Sequence, residues 1–131
     1  MRNKAGVDHQ FATSYGTAAQ PAALNWISLT ENSAAPLDTN TSLAGELNNA
    51  GGGLNRKQAT YSHTTGTNTA LLTTTFTKNA SDGGAADTRT VAKAGLQNAP
   101  AGGTTGYETL VSPTAPLVSG DTVTPNWLFT A

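Results

Sequence analysis

Arg56-Lys57-Gln58-Ala59-Thr60-Tyr61-Ser62-His63-Thr64, then Thr65-Gly66-Thr67-Asn68, then Thr69-Ala70-Leu71-Leu72-Thr73-Thr74-Thr75-Phe76-Thr77: this stretch decides the fold. Both outer runs are rich in threonine. Threonine is β-branched and stiff at χ1, and it suits a pleated, half-buried surface. The four residues between them contain one glycine and read as a tight turn. The stretch therefore predicts a β-hairpin, with Leu72 and Phe76 pointing to the core and Thr73 and Thr75 facing solvent or a partner. Hardly any side chain in it is suited to catalysis, which points to a role in contact.

Strand patterns continue on both sides of the hairpin. Asn25-Trp26-Ile27-Ser28-Leu29-Thr30 alternates, with Ile27 and Leu29 on one face. Thr88 to Leu96, Tyr107 to Val111 and Thr122 to Thr130 read as further strands. Glycine, asparagine and proline clusters separate them: Asn48 to Gly53, Lys78 to Asp87, and Pro100 to Gly106. Pro125 cannot donate to a ladder, so the last strand is expected at a sheet edge or bulged there. Six to eight short strands with regular turn signals predict an all-β fold: a single β-sandwich or jelly-roll-like domain over residues 24–131. Residues 1–23 show neither a 3.6 nor a 2.0 apolar period and predict an extended N-terminal arm, with Phe11 and Tyr15 as docking anchors.

Composition narrows the function classes. The 131 residues suffice for one domain, 11% are charged, and the formal net charge is −1. Nucleic-acid affinity comes largely from Lys and Arg neutralising phosphates, and this balance supplies no such patch. A near-zero net charge also removes half the basis for predicting disorder. With no cysteine, disulfides, thiolate nucleophiles and cysteine zinc sites are excluded. No apolar run approaches the roughly 20 residues that span a bilayer, and no hydrophobic stretch follows the basic first residues. Large aliphatic residues are sparse. Each fully buried Leu or Phe contributes roughly 1.5–3 kcal/mol, so burial against a partner is expected to supplement a thin core.

The candidate chemistry is slight. His9 and His63 sit on different elements with no carboxylate at ligand spacing. The acids are scattered, mostly in loops or at strand ends. Asp82-Gly83-Gly84 lacks the spaced ligands of an EF-hand. Gly51-Gly52-Gly53 lacks the Lys-Ser/Thr of a phosphate loop, and no Gly-x-Ser-x-Gly elbow is present. Arg56-Lys57 is a small positive spot, suited to guarding a strand edge or to pairing with an acidic neighbour. No enzyme activity, cofactor or metal site is expected.

Several blocks in order carry a resemblance. They are Trp26-Ile27-Ser28-Leu29-Thr30-Glu31, Leu43-Ala44-Gly45-Glu46-Leu47, Gly53 to Thr64, Thr73 to Thr77, Val91 to Leu96 and Leu117 to Thr122. Together they resemble small virion proteins of tailed bacteriophages, especially capsid decoration (cement) proteins and related tail-fibre-like proteins. The block Arg56-Lys57-Gln58-Ala59-Thr60-Tyr61 is the most specific, while Asn126-Trp127-Leu128-Phe129 departs from the plainer strand ending expected there. The resemblance implies a β-rich domain, often a homotrimer, on the outer surface of a phage head. Its partners would be the major capsid protein and copies of itself, without nucleic acid or membrane, and it brings no catalytic residues. Phe11, Tyr15, Trp26, Arg56 and Trp127 are the expected partner-contact residues. A tail or fibre component is the alternative within this class. A carbohydrate-binding β-sandwich is the alternative outside it, provided Trp26, Tyr61, Tyr107 and Trp127 prove coplanar and solvent-facing.

Overall fold

The computed structural model describes residues 1–15, 22–84 and 87–130, with the side chains of residues 12–15 outside the description. In chain order the elements are α1 (Lys4–Tyr15), β1 (Trp26–Thr30), β2 (Lys57–Gln58), β3 (Thr60–His63), β4 (Thr69–Thr73), β5 (Phe76–Thr77), β6 (Arg89–Gln97), β7 (Thr105–Leu117), β8 (Thr122–Val123) and β9 (Asn126–Thr130). The chain is mostly β, and every strand pairing is antiparallel. One sheet has the order β2-β1-β6-β7, a second β3-β4-β9, and β5 pairs with β8.

The hairpin forms between β3 and β4, with Tyr61 opposite Leu72 and Ser62 opposite Leu71. Its turn closes through Thr67 N to Thr64 O at 3.1 Å, with Gly66 at φ 89°. That positive φ favours glycine, which has no Cβ to clash. The expected long strands are interrupted, however. Lys57 and Gln58 pair with β1, and the chain crosses to the second sheet at Ala59, whose N–H donates to Asn25 O at 2.7 Å.

A different cause breaks the second run. The β4–β9 register, Thr73 opposite Asn126, continues unshifted into β5–β8, Phe76 opposite Val123. Extending that register places Thr74 opposite Pro125, which has no N–H to give. Threonine hydroxyls bridge the gap: Thr73 Oγ1 donates to Pro125 O at 3.1 Å, and Thr75 Oγ1 meets Thr124 Oγ1 at 2.9 Å. Residues 69–77 and 122–130 thus form one antiparallel ribbon, interrupted at the proline. As expected from Pro125, β9 lies at a sheet edge.

The core lies between the ribbon and the β2-β1-β6-β7 sheet. Ile27, Leu29, Val91, Ala94 and Leu96 pack with Leu54, Leu72, Phe76 and Leu117. Both expected core residues of the hairpin, Leu72 and Phe76, are buried. The other face of the four-stranded sheet is also covered, by the segment 32–47, through buried Leu43 beside Gly95 and through several polar contacts. Thr30 Oγ1 donates within 2.8–2.9 Å to Ala44 O and Gly45 O. Lys93 Nζ reaches Ala34 O at 3.1 Å, and Asn40 Nδ2 donates to Glu108 Oε2 at 2.8 Å.

The expected extended arm is corrected by the structure: residues 4–15 are a helix, packed on β7. The cause is local capping joined to a tertiary contact. Buried Asn3 is the N-cap, its Oδ1 accepting from Gly6 N at 2.9 Å. Its Nδ2 donates to Asn40 O and Thr105 O, both at 2.7 Å. Ahead of it, Glu108 N donates to Met1 O at 3.0 Å and Asn3 N to Gly106 O at 3.2 Å. This ladder fixes where the helix starts.

Gly6 sits so close to β7 that a Cβ there would overlap Gly106 O. Helix propensity alone would make Gly6→Ala stabilising by about 0.5–1 kcal/mol. The obstacle is backbone, which cannot rotate away, and overpacking costs about 1–3 kcal/mol. The clash should win. Gly6→Ala is expected to lose stability and expose residues 1–15 to protease while the sheets keep their strand signal. A variant as resistant as the parent would refute this account of docking.

Candidate contact surface

The sequence carries 7 Lys and Arg and 8 Asp and Glu. None of these 15 lies in β3, β4, β5, β8 or β9. The fold therefore gathers strands without charged residues from distant parts of the chain, and Lys57 Nζ, from β2, reaches Thr75 O beside them at 3.1 Å. Proteins usually guard sheet edges with charges, prolines or covering segments. Here β3 and β9 are the two edges of their sheet, and neither strand contains a charged residue or proline.

The two faces of this sheet differ. Leu72 pairs with Tyr61 on one side and Trp127 on the other, and this face meets the core. On the opposite face Leu71 lies between Ser62 and Leu128. Leu128 is 63% exposed. The rest of the outer face is threonine, serine and asparagine, so Leu71 and Leu128 form an apolar centre in a hydroxyl-rich field.

Strand 57–63 links the two main sheets on one side. On the other side, between β7 and β9, a groove of about 420 Å³ remains. Its lining includes Met1, Thr109, Val111, Trp127 and Leu128, and it reaches Ala94, a member of the core. Tyr107 meets Trp127 and Phe129 edge to face, at centroid separations of 6.4 and 5.3 Å. A second, apolar cleft of about 640 Å³ lies beside α1, lined by Gly6, Leu24, Tyr61, Tyr107 and Phe129 among others.

The expected contact residues fall in different places. Trp127 is half-buried, on β9 at the groove. Trp26 is half-buried on β1, inside the four-stranded sheet. Phe11 is on α1 and 58% exposed. The side chain of Tyr15 lies outside the described residues. Arg56 makes its contacts within the chain: Nε and Nη2 grip Glu46 at 2.9 and 2.6 Å, and Nη1 donates to Ala99 O and Gly102 O, each at 2.8 Å. Its guanidinium holds the loops 46–56 and 99–102 together with bidentate geometry. Sequence reasoning passed over Leu71 and Leu128. The available signal was the absence of charge from Gln58 to Thr77 and from Thr122 to Thr130, but their pairing depends on tertiary register.

The buried ionisable side chains Lys78, Asp82, Lys93 and Glu108 line neither cleft. Asp82 accepts three backbone N–H groups from 53, 54 and 79, and Lys78 Nζ reaches Gly84 O at 3.0 Å. Among the described residues no group of three or more His, Asp or Glu is placed to hold a metal ion. The chain matches no family model, and no curated protein matches it.

Proposed function

We propose that this protein is a structural virion component of a tailed phage, a decoration protein on the outer surface of the head. It would bind the major capsid protein and copies of itself, tying neighbouring capsomers together without catalysis. The observation that carries this reading is the sheet of β3, β4 and β9, which has no charged residue, two edge strands and exposed Leu128 beside half-buried Leu71. Strand edges that carry neither charge nor proline, beside an exposed leucine, are suited to assembly. Edge strands bind by adding backbone hydrogen bonds from a neighbour, and many weak copies on a lattice add up through avidity. In architecture we read the two main layers as a β-sandwich of jelly-roll type.

The edge-to-face packing of Tyr107 against Trp127 (interplanar angle 78°) gives no flat stacking platform from that pair, which weighs against the carbohydrate-binding alternative. Cryo-electron microscopy of purified particles, paired with an antibody to this chain, tests the proposal. Density for the chain at symmetry positions on the head supports it. Density only on the tail, or absence from the particle, overturns it.

A further inference from the structure

We infer that β9 is a self-pairing edge: two copies of this chain join antiparallel through it, about a two-fold axis at Leu128. The inference deepens the assembly reading by naming the surface and the partner.

Three observations lead to it. First, β9 pairs with β4 along one edge, and its other edge borders the groove that reaches Ala94. A strand laid there would cover the open end of the core. Second, β9 is Asn126-Trp127-Leu128-Phe129-Thr130, five residues with Leu128 at the centre. In an antiparallel pair of identical strands centred on Leu128, that residue faces its own copy. Trp127 then faces Phe129 of the second copy, and Asn126 faces Thr130. Every residue keeps its face, as the period of two demands. Aromatic cross-strand pairs would line the core side. On the outer side Leu71, Leu128 and their two copies would form one continuous apolar stripe.

Third, the chemistry favours a second copy over a charged partner. The sheet has no charged side chain with which to steer or select an oppositely charged surface. What it offers is unpaired backbone, leucine, aromatics and hydroxyls, and an identical strand matches all of these. The other open edge, β3, is a poorer candidate. It has four residues and therefore no central residue, and His63 Nδ1 is engaged with Thr69 O at 2.7 Å. The β9 pairing is isologous and closes at two copies.

Five residues of β9 per copy are few beside the roughly 20–30 residues a side of a stable interface. The dimer should therefore be weak in solution and concentration-dependent.

The chain has no cysteine, so a single introduced one reports its own neighbourhood. Leu128→Cys should form a disulfide-linked dimer under mild oxidation, and Leu37→Cys, also exposed, should not. Sedimentation of the parent should show mass rising from the 13.3 kDa chain towards twice that value. Leu128→Lys should weaken association by about tenfold or more, with an unchanged circular dichroism spectrum. Mixing Leu128→Lys with Leu128→Glu should restore the dimer, an outcome that loss of folding cannot produce. A parent that stays monomeric at every concentration, equal cross-linking of both cysteine variants, or a trimer unmoved by Leu128→Lys overturns the inference. Those results leave the particle localisation experiment untouched, so the two proposals fail separately.

Discussion

Replacing Asp82 with alanine should lower the unfolding free energy by about 3–5 kcal/mol, read as a shift in the urea midpoint at unchanged slope. Asp82 is fully buried. One carboxylate oxygen accepts from Gly53 N and Asn79 N, each at 2.9 Å, and the other from Leu54 N at 3.2 Å. The side chain therefore staples the glycine loop before β2 to the loop after β5. Alanine removes all three acceptors at once, and each buried N–H left unsatisfied costs about 1–3 kcal/mol. Water entering the space would recover part of that, which keeps the expected total below the sum.

Asp82→Asn separates shape from acceptance. Asparagine has one acceptor oxygen and an NH₂ group. If the oxygen serves Gly53 and Asn79, the NH₂ faces Leu54 N, donor against donor. The amide variant should thus fall between parent and alanine, losing about 1–3 kcal/mol. A loss under about 1 kcal/mol for alanine would remove the staple from the account.

Asp82 also shows how much of this fold the sequence made legible. Asp82-Gly83 is readable as a turn, and a turn forms there, with Gly83 at φ 101°. That its carboxylate reaches back across 28 and 29 residues to the N–H groups of Leu54 and Gly53 depends on how distant loops meet, which no local pattern records. The hairpin was legible because alternation and turn chemistry are local. The crossing at Ala59 was not, because the period of two runs through it unbroken and only the neighbouring strand β1 decides the change of sheet. Pro125 was legible for a physical reason: a missing N–H has the same consequence wherever the strand lies.

The helix was illegible. Its sequence has no apolar stripe, and its position rests on Asn3 and on the Gly6–Gly106 approach, both tertiary. For the contact surface, the lack of charge was visible along the chain, and the Leu71–Leu128 pairing was not. Arg56 was legible as one half of an ion pair. Its partner, Glu46, proves to be ten residues away in the same chain.

Phe76→Ala should cost about 3–5 kcal/mol, the range for deleting a buried aromatic side chain. Phe76 is fully buried and is the largest of the fully buried side chains among the described residues. It stands just past the proline break, on the part of the ribbon that pairs with Val123, and Lys57 Nζ lies 5.7 Å from its ring centroid. The ring therefore joins the ribbon to both the core and the crossing strand. Domains of this size hold about 5–15 kcal/mol in total, and the aliphatic core here is thin, so the loss is a large share.

Phe76→Leu separates burial from shape. It keeps most of the apolar volume and should cost clearly less than alanine, about 1–2 kcal/mol. Because β5 and β9 belong to one continuous ribbon, a loosened Phe76 site should also let β9 fray. Amide exchange at 126–130 should then quicken in Phe76→Ala more than exchange in β6, whose nine residues are flanked by strands on both sides. Uniform acceleration across β6 and β9 would mean that the sheets open together, and the contact strand could not then be loosened independently of the core.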